Sequence, residues 1–149
     1  MKYLYRIYQV VVFLPLFILI SLFTSIITVV GCTLGNGHFW GYYPGRYWAR
    51  SVIRLLFLPV KVEGRENLKP GQSYVFVANH QGAFDIFLIY GFLNRNFKWM
   101  MKHQLARIPF VGYACKCAHH IFVDRGGASK VRKTYEEARE ILQEGMSLV

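Results

Sequence analysis

No Asp, Glu, Lys or Arg occurs from Ile7 to Gly45. A charge-free stretch of that length excludes an ordinary water-facing N-terminal region. Charged residues make up only 17% of the 149-residue chain against 54% hydrophobic, a balance unsuited to a soluble domain, which asks for a membrane segment. Acidic residues are the scarcest of all, with 8 Asp and Glu against 18 Lys and Arg, a net charge of +10 and a pI near 9.7. Such a surface seeks anionic partners: phospholipid headgroups, phosphorylated substrates or nucleic acid. The basic residues are scattered, many aromatics fall in the charge-free third, and no nucleic-acid motif is present, which sets nucleic acid aside. Three cysteines, Cys32, Cys115 and Cys117, are too few for a disulfide framework, and a reduced, cytosol-facing catalytic part fits them best.

The charge-free stretch contains VVVFLPLFILISLFTSIITVV, Val10 to Val30. At 1.5 Å per residue this run covers roughly 30 Å, the thickness of a bilayer core. Lys2 and Arg6 precede it and favour a cytoplasmic N-terminus; Pro15 is a candidate kink that membrane helices tolerate. A signal peptide is the rival reading, since MKYLYR resembles a basic leader and VVGC a lipoprotein processing site, but the apolar run is long for a signal. The next segment, Tyr42 to Pro59, carries Arg46, Arg50 and Arg54 at helical spacing, with Trp48, Val52, Leu55 and Leu56 away from that stripe. Pro44 suits a first turn and Pro59 ends the pattern. The stripe predicts a helix lying in the headgroup layer, with a helix packed on the domain as the alternative. Residues 1–59 are therefore expected to form a membrane-embedded or membrane-surface helical segment, and whether the first helix crosses the bilayer is left open.

From residue 60 the periodicity changes. VKVEG alternates and predicts a short strand ending at Gly64. ENLKPGQ is a turn around Pro70 and Gly71. SYVFVA, Ser73 to Ala78, is a continuous apolar run of strand length, as expected of a strand covered on both faces. Then comes Asn79-His80-Gln81-Gly82-Ala83-Phe84-Asp85, followed by the apolar helix IFLIYGFL. Loops at strand C-termini are where α/β folds put ligands. A histidine can take a proton from a hydroxyl, and a carboxylate fixes its tautomer and stabilises its cation. With the loop turning at Gly82, Asp85 can reach back to the His80 ring. No Ser or Cys lies inside this motif, so an acceptor hydroxyl would attack directly, without an acyl-enzyme. The alternative is that Asp85 caps a helix and His80 fills a loop. Further on, IFV (Ile121 to Val123) predicts a short buried strand, SKVRKTYEEAREILQEG an amphipathic helix capped by Ser129 and stopped by Gly145, and MSLV the start of another strand.

This order of motifs resembles the 1-acylglycerol-3-phosphate acyltransferases, also called lysophosphatidate acyltransferases. The residues that carry the resemblance are NHxxxxD (Asn79 to Asp85), the block Lys102, Leu105, Ile108, Pro109 and Gly112, and IFVDR (Ile121 to Arg125). It runs from about Val60 to Val149. It implies an α/β fold, a mixed sheet flanked by helices, preceded here by the N-terminal membrane-associated helical pair. Residues 60–149 would be the N-terminal part of an acyltransferase domain. His80 is then the general base and Asp85 its orienting partner, with Asn79 and Gly82 as motif support. The deprotonated hydroxyl attacks the thioester of an acyl-coenzyme A or acyl-carrier protein, which are substrates; no metal or organic cofactor is implied. Arg125, with help from Lys102, binds the acceptor phosphate, a planar fork and a point charge respectively; a salt bridge to Asp124 is the structural alternative for Arg125. The implied partners are membrane phospholipids and a lysophospholipid acceptor, and the implied location is the cell membrane with the catalytic part facing the cytoplasm.

The sequence departs from the family pattern twice. The family usually has a glycine where this chain has His119. A third motif, Phe-Pro-Glu-Gly-Thr-Arg or similar, would follow MSLV, so the chain is read as the N-terminal part of a longer enzyme. Acceptors other than lysophosphatidate (glycerol 3-phosphate, other lysophospholipids, lyso-ornithine lipid) stay open, as does a non-catalytic lipid-binding relative. Cys115, Cys117, His119 and His120 crowd too closely to wrap one tetrahedral zinc, and thiols packed near a strand are the better account.

Overall fold

The computed structural model describes residues 2–79, 82–124, 126–143 and 146–149. It is helix-rich, with short strand pieces in small sheets: a mixed α/β architecture. The chain opens with one long helix, α1 (Lys2–Tyr8) continuing through a π turn (Gln9–Phe13) into α2 (Leu14–Leu34). The π turn sits where Pro15 requires it. Proline lacks an N–H and its ring crowds the carbonyl four residues back, and a widened turn absorbs both effects. Lys2–Leu34 is the one helix among the described residues that is long and apolar enough to cross a membrane.

The long helix does not stand apart from the domain. The Tyr5 and Tyr8 hydroxyls donate to Leu56 O (3.2 Å) and Leu55 O (2.8 Å). Trp48 Nε1 donates to Ser21 Oγ at 2.9 Å, and the Trp40 indole lies where a side chain on Gly31 would have to go. The buried residues of α2 are small, Ser25, Thr28 and Gly31, which lets neighbouring helices approach closely. The opposite side leaves Leu19, Phe23, Ile26 and Val30 exposed.

After the short α3 (Gly37–Trp40), whose Asn36 side chain caps the His38 and Phe39 N–H groups, comes α4 (Tyr43–Leu55). Helix α4 packs on the domain, the alternative that its sequence leaves beside a headgroup-layer position. Arg50 Nε donates to Gly91 O at 2.7 Å, with its guanidinium over the Phe92 ring, and Arg46 binds the Asn94 side chain. Arg50 thus satisfies a backbone carbonyl at the C-terminal end of α5 (Phe84–Phe92), where a helix presents unpaired acceptors and negative dipole, and Arg46 meets the Asn94 side chain just beyond that end. Arg54 alone of the three is fully exposed. Helix α4 buries Ala49, Val52 and Ile53 and crosses α5 closely at Gly45, where an added Cβ would meet the Tyr90 ring at 2.6 Å.

The strands are β1 (Phe97–Lys98), β2 (Met100–Lys102), β3 (Ile121–Val123) and β4 (Ser147–Leu148). The described pairings are all parallel: β1 with β4, β2 with β3, and an isolated bridge from Val75 to Leu148. A bond from Met100 N to Val149 O (2.7 Å) joins the two pairs. The lateral order is thus residues 74–76, β4, β1–β2, β3. Alternation sends Phe97, Trp99 and Val149 to one face, where they meet Tyr42, Ala49 and Tyr90 from α4 and α5. It sends Met100, Ile121 and Leu148 to the other, against Ala138, Ile141 and Leu142 of α7 (Ala128–Gln143). Burying each large apolar side chain contributes roughly 1.5–3 kcal/mol.

Three expectations are corrected. VKVEG forms no strand: residues 58–64 are irregular, because among the described residues no strand pairs with them. SYVFVA is an edge strand in embryo rather than a covered one. Phe76 N donates to Leu148 O and Leu148 N to Tyr74 O (both 2.8 Å), so β4 is its one strand neighbour among the described residues, and Val75 is exposed and Val77 92% exposed. Ser129 is not the cap of α7, which starts one residue earlier, with Gly127 O accepting from Val131 N. The proposed stop at Gly145 lies outside the described residues.

Candidate active site

Parallel strands send all their C-terminal ends to one edge, and here that edge gathers the motif residues. The first apolar strand runs out into Asn79, β2 ends at Lys102, and β3 ends in Asp124. His80 and Arg125 lie outside the described residues; both adjoin this edge in sequence. Asp85 stands in the first turn of α5, and its Oδ2 accepts from Gly82 N at 3.1 Å, while Asp85 N donates to Gly82 O at 3.2 Å. The carboxylate is thus turned back over the loop that precedes the helix, the direction the sequence reading asks of it. It also does part of a capping residue's work. Gly82 is exposed, and a Cβ there would meet nothing. Lys102 and Asn79 are exposed on the same edge.

Asp124 is committed elsewhere. Its Oδ2 accepts from Lys130 Nζ (2.7 Å) and its Oδ1 from Gly126 N (2.9 Å), and the bond from Lys130 holds its carboxyl below the usual carboxylate range. This pairing ties the end of β3 to the first turn of α7.

Two side chains behind the edge were not singled out as supports by sequence reasoning. Lys98 is buried within β1, and its Nζ donates to Ala118 O at 2.7 Å; a lysine in an aromatic triplet gives no such signal. His120 is buried too. Its Nδ1 accepts from Trp99 N (3.2 Å), so its proton is on Nε2, which faces the Tyr90 hydroxyl at 3.4 Å; that hydroxyl donates to Gly41 O at 3.0 Å. Both ring nitrogens are engaged, a role for His120 that needs no metal. Burial, then the charges of Lys98 and His119, push the pKa of His120 down to about 3. Protonation is therefore resisted in the folded state and not in the unfolded one, where the value is near 6.5. Stability from this group is complete above about pH 6.5 and is lost as pH falls towards 3, at up to about 1.4 kcal/mol per pH unit. Denaturant midpoints measured between pH 7 and 5 should fall, and His120→Asn, which keeps an acceptor for Trp99 N, should flatten that slope; an unchanged slope would remove His120 as its source.

The departure at His119 has a visible consequence. Its φ is +56°, a left-handed conformation that costs a side-chain-bearing residue about 1–2 kcal/mol. His119→Gly should therefore raise stability, by up to about 1 kcal/mol after glycine's extra entropy cost. A lower thermal midpoint in the variant would contradict this.

A family model described as Acyltransferase matches residues 59–149. The chain belongs to the acyltransferase family. Curated relatives agree. A 1-acyl-sn-glycerol-3-phosphate acyltransferase of Chlamydomonas reinhardtii is 34% identical over 90 residues, 60% of this chain and 27% of that protein. The Saccharomyces cerevisiae protein of the same name is 29% identical over 119 residues, 79% of this chain and 39% of its own. A chloroplastic one from Arabidopsis thaliana is 27% identical over 108 residues, 72% of this chain and 30% of its own. The chain thus spans well under half the length of these acyltransferases. No solved structure matches. The family match starts four residues after α4 ends and covers all the strands among the described residues. A cavity of about 560 Å³ opens at the opposite edge of the acyltransferase sheet, between Lys98, His119, Glu137 and Glu140.

Proposed function

We propose that the full-length protein transfers a fatty acyl group from an acyl-coenzyme A or acyl-carrier protein to the free hydroxyl of 1-acylglycerol 3-phosphate, giving phosphatidic acid. The observation that supports this reading is that Lys102 and Asp124 stand at the ends of paired parallel strands, with the Asp85 carboxylate turned back over the loop before its helix. In this reading His80 takes the hydroxyl proton as the oxygen attacks the thioester carbonyl. The C–O bond forms, the C–S bond breaks, and the proton passes to the departing thiolate. Asp85 holds the ring and stabilises its cation. Arg125 and Lys102 hold the acceptor phosphate.

The same proposal includes a membrane arrangement. Contacts between the long helix and the domain run from Tyr5 to Gly31, about 40 Å along the axis. A helix crossing upright would drag α4 and its arginines through the hydrocarbon. Lying in one leaflet, it keeps its apolar side in lipid and brings the domain to the surface where a lysophospholipid resides.

An acceptor panel tests the reading. Full-length protein with radiolabelled acyl-coenzyme A should label phosphatidic acid when given 1-acylglycerol 3-phosphate. Labelling of an ornithine lipid or acylation of glycerol 3-phosphate alone would move the assignment to another acceptor, and lipid binding without any product would leave a non-catalytic relative.

A further inference from the structure

We infer that residues 105–113 form a second membrane contact, a preformed apolar knob that inserts into an anionic bilayer beside the long helix. Leu105, Ile108, Phe110, Val111 and Tyr113 are all exposed, Phe110 at 62% and Tyr113 at 59%. Apolar side chains gathered this way on a soluble surface mark an interaction site. The segment is tied to itself: Val111 N donates to Pro109 O (2.6 Å), Gly112 N to Ile108 O (2.8 Å) and Ala114 N to Phe110 O (2.9 Å). Phe110 is held at φ +60°, ψ −56°, a conformation rare for an aromatic residue and kept only where the surroundings impose it. The result is a rigid turn that holds a strained backbone conformation with its phenyl ring exposed.

Charge and position name the occupant. No Asp or Glu occurs between Asp85 and Asp124, whereas Lys102, His103, Arg107 and Lys116 flank the knob. Apolar residues flanked by Lys102, Arg107 and Lys116 suit an anionic lipid surface, each such cation near it being worth about 1 kcal/mol. The segment also lies close to the long helix: α6 (Val111–Cys117) packs on α2, whose opposite side is exposed Leu, Phe, Ile and Val. The chain reaches the knob straight from Lys102 at the motif edge, so two contacts, helix and knob, would fix how that edge meets the lipid. The knob is independent of acyl transfer, and its test reads depth and not turnover.

The test adds one tryptophan to the full-length protein, Phe110→Trp, with Tyr135→Trp on α7 as control, Tyr135 being exposed on the helix across the sheet. Both are bound to vesicles of phosphatidylcholine and phosphatidylglycerol carrying brominated acyl chains, and emission is read against the parent with its native Trp40, Trp48 and Trp99. The added emission at 110 should fall by about half or more and become inaccessible to iodide, and that at 135 should stay unquenched by lipid. Arg107→Glu, or vesicles of phosphatidylcholine alone, should reduce the quenching at 110 by about twofold or more. A residue 110 that stays open to iodide on bound protein overturns the proposal. So does equal quenching in neutral vesicles, and so does iodide protection that rises with protein concentration before lipid is added, which would assign the knob to a second copy of the chain.

Discussion

Replacing His80 by alanine in the full-length protein is expected to lower acyl transfer by about 10²–10⁴-fold, the usual contribution of a positioned general base. The loss should fall on kcat, because His80 in this account moves a proton and binds nothing in the ground state. Asp85→Asn should lose a comparable factor for a different reason. The amide keeps the size and can still meet Gly82 N, but it no longer fixes the imidazole tautomer or stabilises its cation. The structure supplies the supporting geometry for Asp85, with the carboxylate bonded back to the loop it would serve. Lowering pH should also slow the wild type as the base becomes protonated. Unchanged turnover in His80→Ala would leave Asp85 as a helix cap and remove the catalytic reading of the motif.

The second large effect concerns the acceptor phosphate. Arg125→Ala is expected to raise the KM for 1-acylglycerol 3-phosphate by about 10–100-fold, the equivalent of one or two charge-assisted hydrogen bonds, with a smaller change in kcat. Arg125→Lys should recover only part of this, since an ammonium cannot reproduce the planar fork. The sequence leaves Asp124 as a rival partner for Arg125. In the fold both Asp124 oxygens already accept bonds, from Lys130 and Gly126, which weakens the rival. Lys102→Ala, at the end of β2 on the same edge, should act in the same direction and less. An unchanged KM in Arg125→Ala would take that residue out of the phosphate site.

The strongly patterned segments were legible from sequence because their signals agree with their environments. The long apolar run, the helix after Asp85, IFV and the helix of residues 128–143 all stand where the periodicity puts them. The failures are local and physical. VKVEG has a strand's alternation but no neighbour to bond with. SYVFVA has a core strand's composition but sits at an edge. The arginines of α4 have an interfacial helix's spacing, yet Arg50 answers Gly91 O and Arg46 the Asn94 side chain, contacts between residues 41 and 48 positions apart. The pieces at 97–102 escape notice because the buried Lys98 breaks their apolar pattern. At the site the motif residues were proposed from the family resemblance, since the spacing of His80 and Asp85 by itself fits a loop and a helix cap equally. The Asp124–Lys130 pair and the His120–Tyr90 contact were not legible, since each depends on a turn or on strand packing.

The measurement that bears most directly on the central claim is the mass of the full-length protein before and after acyl donor, followed by product analysis. The account predicts direct attack by the lipid hydroxyl. Acyl-coenzyme A alone should leave the protein mass unchanged, and adding 1-acylglycerol 3-phosphate should release free thiol and phosphatidic acid in equal amounts. A protein heavier by one acyl group before acceptor is added, or no phosphatidic acid after it, would contradict the account.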